Sequence, residues 1–234
     1  MTHEKSITHP HTSVAWLSAA SRYQQNRRNQ GLIKSEWIKP LIFLSALFPI
    51  GKLGMNAYLD QLGANPIEKI THVTGYWTLT FLLFTLTATP MKRLFRWSWP
   101  VRLRRMLGLF AFFYALLHFS TYLILDQFFD WDAIVKDIVK RPYITVGFPA
   151  FLLLIPLAIT SSHSMVRKMG GKRWQMLHTL VYPCAIGGVV HYFWLVKKDL
   201  TNPMIFAVLL GLLFVIRLLY RIKDQANRIK TGRV

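Results

Sequence analysis

Six apolar segments, each close to the ~20 residues a helix needs to cross a hydrocarbon core, leave this chain few folds to choose from. They run over residues 40–59, 73–89, 106–125, 143–160, 174–196 and 203–220. The first is the weakest, since Pro49, Gly51, Lys52 and Gly54 interrupt it. The connections between segments alternate in charge. The stretch before the first segment, the loops 90–105 and 161–173, and the chain after 220 hold most of the Lys and Arg, with only Glu4, Glu36 and Asp224 as acids. The other three loops carry Asp60, Glu68, Asp126, Asp130, Asp132, Asp137 and Asp199. Cytoplasmic loops retain an excess of Lys and Arg, so the basic loops are expected inside. Trp37, Tyr58, Trp97, Trp99, Tyr143 and Trp174 stand at segment ends, as an aromatic belt requires.

The expected fold is therefore an all-α integral membrane protein. A six-helix transmembrane bundle over 37–222 has both ends on the cytoplasmic side. A flexible arm at 1–36 precedes it and a basic tail at 223–234 follows. The arm is polar and broken, with no early apolar run, so no cleavable signal peptide is expected. Its His3, His9 and His11 form a weak candidate for metal binding.

Charge narrows the function classes. A net charge of +19 would suggest nucleic-acid binding in a soluble protein. Here the basic residues are concentrated in loops between long apolar runs, so they read as topology determinants, and no nucleic-acid partner is expected. A single cysteine, Cys184, excludes a disulfide framework and any Cys-ligated cluster.

Ionisable residues at membrane depth are functional candidates by default. His118 lies in the third segment, and His178 and His191 lie in the fifth. His72 sits at the outer mouth of the second, and His163 falls in an inner loop. The third and fifth segments run the same way, and His118 and His191 both fall in their outer halves. Two imidazoles at matched depth are what bis-histidine haem ligation needs, an arrangement suited to electron transfer. Gly187 and Gly188, one turn before His191, are expected to let a flat macrocycle approach the backbone.

His178 lies thirteen residues before His191, about 20 Å along a helix and on a different face, with Pro183 between them. An inner partner for it would be expected on the third segment about fourteen residues before His118, but Arg104 and Arg105 stand there. That argues for one bis-histidine haem. The arginine pair suits an anionic group such as a flavin phosphate or a haem propionate. The bland alternative is that each buried histidine is simply hydrogen-bonded within the bundle and that the arginines set topology. Lys52 is expected to snorkel outward.

At these residues the chain resembles a known family. The stretches are HVTGYW from His72, RLRRMLGLFAFFYALLHFSTY ending at Tyr122, KRPYITVG from Lys140, GKRWQMLHTLVY from Gly171, and HYFW from His191. Residues 40–222, which contain these stretches, resemble the haem-binding membrane subunit of the bacterial periplasmic methionine sulfoxide reductase system, the MsrQ (YedZ) family. That family belongs to the ferric-reductase and NADPH-oxidase transmembrane superfamily.

The resemblance implies a six-helix ferric-reductase-like fold in the bacterial inner membrane, haem b and FMN. It implies that His118, His178 and His191 are the haem-associated histidines, and that Arg104 and Arg105 are the basic pair linked to flavin. It further implies electrons arriving from the quinone pool or a cytoplasmic flavin reductase. They would leave to a periplasmic molybdopterin-containing methionine sulfoxide reductase catalytic subunit. The chain itself would then be an electron-transfer subunit, not the catalytic one. It contains no G-x-G-x-x-G segment for taking hydride from a nicotinamide nucleotide. A ferric-reductase-like carrier with another acceptor is the nearest alternative. A transporter is less well supported, because the spans hold no acidic pair and no visible repeat. A cofactor-free anchor would have no use for the matched histidines.

Overall fold

The computed structural model describes residues 38–230, all of whose regular elements are helical. The arm at 1–36 with His3, His9 and His11, and the last four residues of the tail, lie outside the described residues. The long helices are α1 (Ile38–Tyr58), α2 (Pro66–Phe95), α3 (Trp99–Ser120), α5 (Pro142–Ile159), α8 (Val181–Leu195) and α9 (Thr201–Lys230). Shorter ones are α4 (Trp131–Lys140), α6 (His163–Met169) and α7 (Gly171–Leu177). A π-helical turn, Thr121–Asp126, prolongs α3, and a 3₁₀ turn, His178–Leu180, joins α7 to α8.

Five stretches are long and apolar enough to cross a membrane: α1, α3 with its π-helical end, α5, α7 through α8, and α9. The helix α2 is not among them, although its 30 residues make it as long as α9. Its hydropathy is lowered by threonines along its length, and the helix absorbs their polarity locally. The hydroxyls of Thr71, Thr74, Thr78, Thr80 and Thr85 each donate to the carbonyl four residues back, at 2.8–2.9 Å. Thr74 and Thr85 are also buried, along with Leu79, Phe81, Leu82, Leu83, Leu86, Ala88 and Pro90. This helix carries more buried residues than any other described helix.

Packing is pairwise. The most extensive contact joins α2 to α3, and the next joins α5 to α8. Both pairs are antiparallel. In the first, Gly108 faces Thr85 and His118 faces Thr71. In the second, the Cys184 thiol donates to the Ala150 carbonyl at 3.3 Å, while His191 faces Tyr143. The helix α9 closes against α2 and α8.

Gly187 and Gly188 serve this packing. A Cβ at Gly187 would meet Ala150 Cβ at 3.1 Å, and one at Gly188 would meet Leu79 Cδ2 at 2.8 Å. The expectation that these glycines clear space for a macrocycle is corrected: their missing side chains let α8 close on α5 and α2.

Helix bounds also differ from the apolar segments. The helix α9 continues unbroken to Lys230 through the charged stretch read as a tail, since Arg, Lys, Asp, Gln and Ala are all tolerated in a solvated helix. The helix α1 runs through Pro49, Gly51 and Gly54, with Lys52 exposed.

The amphipathic helix α4 lies inside what the sequence marks only as an acidic loop. The Asp130 carboxylate caps it, accepting from Ala133 N–H at 3.0 Å. Asp137 then ties it down, accepting from Tyr122 Oη at 3.2 Å and pairing with Arg141 at 3.0 Å. Immediately before it, Phe128 and Phe129 adopt φ of 48° and 61°, a left-handed pair that ends the π-helical turn.

Candidate functional site

The structure brings His118 and His191 together. One sits near the end of α3 and the other near the end of α8, with ring centroids 5.9 Å apart and planes crossed at 88°. Each ring is anchored by one nitrogen to a neighbouring helix. His118 Nδ1 lies 2.9 Å from the Thr71 carbonyl of α2, and His191 Nδ1 lies 2.7 Å from the Tyr143 carbonyl of α5. A carbonyl oxygen only accepts, so Nδ1 must carry the proton in both rings. That leaves each Nε2 as a bare lone pair, the state in which imidazole binds metal. Neither Nε2 has a hydrogen-bond partner among the described residues. No side-chain nitrogen or oxygen sealed from solvent goes unpartnered there, so neither Nε2 atom is fully enclosed.

The spacing is informative. Metal–imidazole bonds are about 2 Å and a ring centroid lies about 1.1 Å from its nitrogens, so two imidazoles on opposite sides of one ion place their centroids about 6 Å apart. The observed pair meets that distance. Two nitrogens alone do not hold a bare ion, and no group of three or more His, Cys, Asp or Glu suited to one occurs among the described residues. The donor set would suit an ion whose remaining ligands a planar macrocycle supplies, with His118 and His191 as the residues that would hold it. An aromatic wall follows His118, with Phe119 stacked on Phe151 at 4.7 Å and lying 5.9 Å from Phe148.

His178 is set differently. It lies in the 3₁₀ turn before α8, at the other end of the bundle, and its ring stacks on Trp174 at 3.9 Å. Its Nε2 is 3.0 Å from Thr160 Oγ1, and Trp174 Nε1 donates to the Thr160 carbonyl at 2.9 Å. The tightened turn precedes Pro183, whose ring nitrogen has no hydrogen to offer the carbonyl of Thr179.

Arg104 and Arg105 diverge, as adjacent helical residues must at ~100° apart. Arg104 is half-buried and within electrostatic reach of His178, whereas Arg105 is exposed. Neither makes a hydrogen bond or ion pair with another described residue. Asp224, the one described acid at this basic end, is already paired with Arg93 at 2.7 Å. Such a guanidinium setting suits an anionic group.

His72 is exposed and lines an open cleft of about 570 Å³, together with Glu68, Lys69, Tyr76, Trp77 and Tyr192. It is apart from the His118–His191 pair but within electrostatic reach of His118.

Arg217 is a residue the sequence reading passed over. This cation lies within α9, and its guanidinium donates to the Leu213 carbonyl at 3.2 Å and to the Leu86 carbonyl of α2. It also lies 5.6 Å from the centre of the Tyr182 ring. A charged residue inside an apolar run was the available signal.

Long apolar helices that bring two imidazoles side by side define a polytopic membrane protein with a paired-histidine site. The family described as "Ferric reductase like transmembrane component" matches residues 73–189. Three similar proteins are each a "protein-methionine-sulfoxide reductase heme-binding subunit MsrQ". That of Herminiimonas arsenicoxydans is 56% identical over 185 residues, covering 78% of this chain and 85% of the relative. That of Rhodospirillum rubrum is 54% identical, covering 80% and 89%. That of Azospira oryzae is 54% identical, covering 80% of each. The chain belongs to the MsrQ family of ferric-reductase-like membrane proteins.

Proposed function

We propose that this protein is the haem b membrane subunit of a methionine sulfoxide reductase system. In this reading it passes electrons across the bacterial inner membrane to a periplasmic, molybdopterin-containing catalytic subunit that repairs oxidised proteins. The observation that carries it is the His118–His191 pair, with both Nδ1 atoms anchored to carbonyls, neither Nε2 partnered by a described residue, and ring centroids 5.9 Å apart. The names of the relatives, which state haem binding and the reductase, support the same reading. A haem held there supplies a one-electron iron couple. The chain's own residues do the rest. Thr71 and Tyr143 fix the tautomer of the two ligands, and the phenylalanines of α3 and α5 exclude water.

In this reading α2 is a sixth span whose threonines are satisfied within the helix, and both termini face the cytoplasm. The basic end then receives electrons, from quinone or from a cytoplasmic flavin reductase. Arg104 and Arg105 hold the phosphate of FMN, and the half-buried Arg104 makes the closer contact. His178 belongs to that end as a haem-associated residue, and its Nε2 must release Thr160 before it takes a metal. His72 stands beside the outer cofactor edge.

The test is the optical spectrum of the purified protein. A low-spin b-type haem is expected, and His118→Ala is expected to abolish it. A colourless, folded wild type from haem-replete cells would overturn the proposal.

A further inference from the structure

The two histidines are seated by the same backbone device, built twice. The carbonyl that accepts from His118 belongs to Thr71, and Gly75 is four residues on. The carbonyl that accepts from His191 belongs to Tyr143, and Gly147 is four residues on. Helical Cα–Cβ bonds lean toward the N-terminus, so the side chain at i+4 overhangs the carbonyl of residue i. Glycine at i+4 removes that overhang and opens the carbonyl's second lone pair to a neighbour.

In both places the imidazole fills the opening. A Cβ on Gly75 would lie 3.1 Å from His118 Cε1 and 3.1 Å from Nδ1. A Cβ on Gly147 would collide with His191 Nδ1 and come within 2.9 Å of Cε1 and Cγ. Gly108 is an internal contrast, since its nearest neighbour would be Thr85 at 3.8 Å, an ordinary contact. Gly187 offers a second, because its Cβ would meet Ala150 and no histidine.

We infer that Gly75 and Gly147 are positioning residues for the two metal-binding imidazoles. Each forms, with the carbonyl one turn before it, a notch that sets the ring's orientation and turns Nε2 away from the supporting helix. The pairs α2/α3 and α5/α8 are thus equivalent half-sites, each delivering one oriented imidazole. The inference rests on the proposal that His118 and His191 bind haem iron, and it predicts an order. Gly147→Ala must displace its ring, whereas Gly75→Ala requires a shift of a few tenths of an ångström.

The experiment uses the full chain, purified with its haem, as wild type, Gly147→Ala, Gly75→Ala and the packing control Gly187→Ala. Haem per protein, ferric spin state, midpoint potential and helical melting are measured on each. Gly147→Ala is expected to lose low-spin character and to retain haem about tenfold less well, the scale for loss of a partner that orients a metal ligand. Added imidazole is expected to restore the low-spin spectrum, which a general packing defect would not allow. Gly75→Ala is expected to stay low-spin with a shifted potential, and Gly187→Ala to melt earlier with the wild-type spectrum.

Wild-type spectrum and potential in both Gly147→Ala and Gly75→Ala, beside a wild type that holds low-spin haem, would overturn this inference alone. A wild type without haem would overturn the underlying proposal and this inference with it. If Gly147→Ala does not fold, Gly75→Ala decides: a shifted potential supports the notch and an unshifted one overturns it.

Discussion

His191 and His178 are thirteen residues apart on one chain segment, and the protein treats them in opposite ways. At His191 the anchored nitrogen is Nδ1 and its partner is a main-chain carbonyl. Carbonyls cannot donate, so the partner fixes the tautomer and frees Nε2. At His178 the anchored nitrogen is Nε2 and its partner is the Thr160 hydroxyl, whose one hydrogen is already donated to the Pro156 carbonyl at 2.6 Å, so Nε2–H is the donor. The tautomer is therefore the opposite one, and Nε2 is engaged. The aromatic neighbours differ as well. Trp174 lies flat on His178, while the ring nearest His191 is another imidazole, with its plane crossed at 88°. In the proposed reading, which nitrogen is left unbonded, and not burial inside the bundle, separates the two histidines.

The sharpest way to break this comparison is to remove each histidine in turn. His191→Ala is expected to empty the haem site and His178→Ala to leave its low-spin spectrum in place, as measured by pyridine haemochrome per protein. Equal loss in both would erase the distinction.

A smaller effect is expected from the arginines beside His178. Arg104→Ala should slow reduction of the haem through added flavin, and Arg105→Ala should do so less, with the absorption spectrum unchanged in both. Stopped-flow reduction measures this, and haem loss in either variant would reassign the pair to a propionate or to the fold. Smaller still is Gly188→Ala. Its Cβ would press on Leu79, and overpacking of this kind costs about 1–3 kcal/mol. Melting should fall without any spectral change.

Much of this was legible before any coordinates, and the reasons are physical. Apolar runs of fixed length and alternating loop charge mark spans. Depth along two parallel segments then matches His118 with His191, and the structure sets the two rings together. The expectation for Gly187 and Gly188 failed because proximity in sequence to a ligand says nothing about which neighbour a missing side chain admits; here it is Ala150 and Leu79. Gly75 and Gly147 act across a helix pair on histidines 43 and 44 residues away, counting from Gly75 to His118 and from Gly147 to His191. No local pattern records that. The role of Thr160 escaped for the same reason, and that of Arg217 because its acceptors are main-chain carbonyls, which every residue has. The π-helical turn and the left-handed Phe128 and Phe129 carry no helix-breaking residue type to announce them.

The central claim is that one iron sits between His118 and His191, held by imidazoles whose planes cross at 88°. Low-temperature electron paramagnetic resonance of the oxidised, haem-loaded protein tests it most directly, because the spread of g values reports the angle between axial imidazole planes. Crossed planes predict a strongly anisotropic low-spin signal dominated by a single large g value, absent from His191→Ala and retained in His178→Ala. A rhombic signal of coplanar imidazoles, or one that survives the loss of His191, would contradict the account.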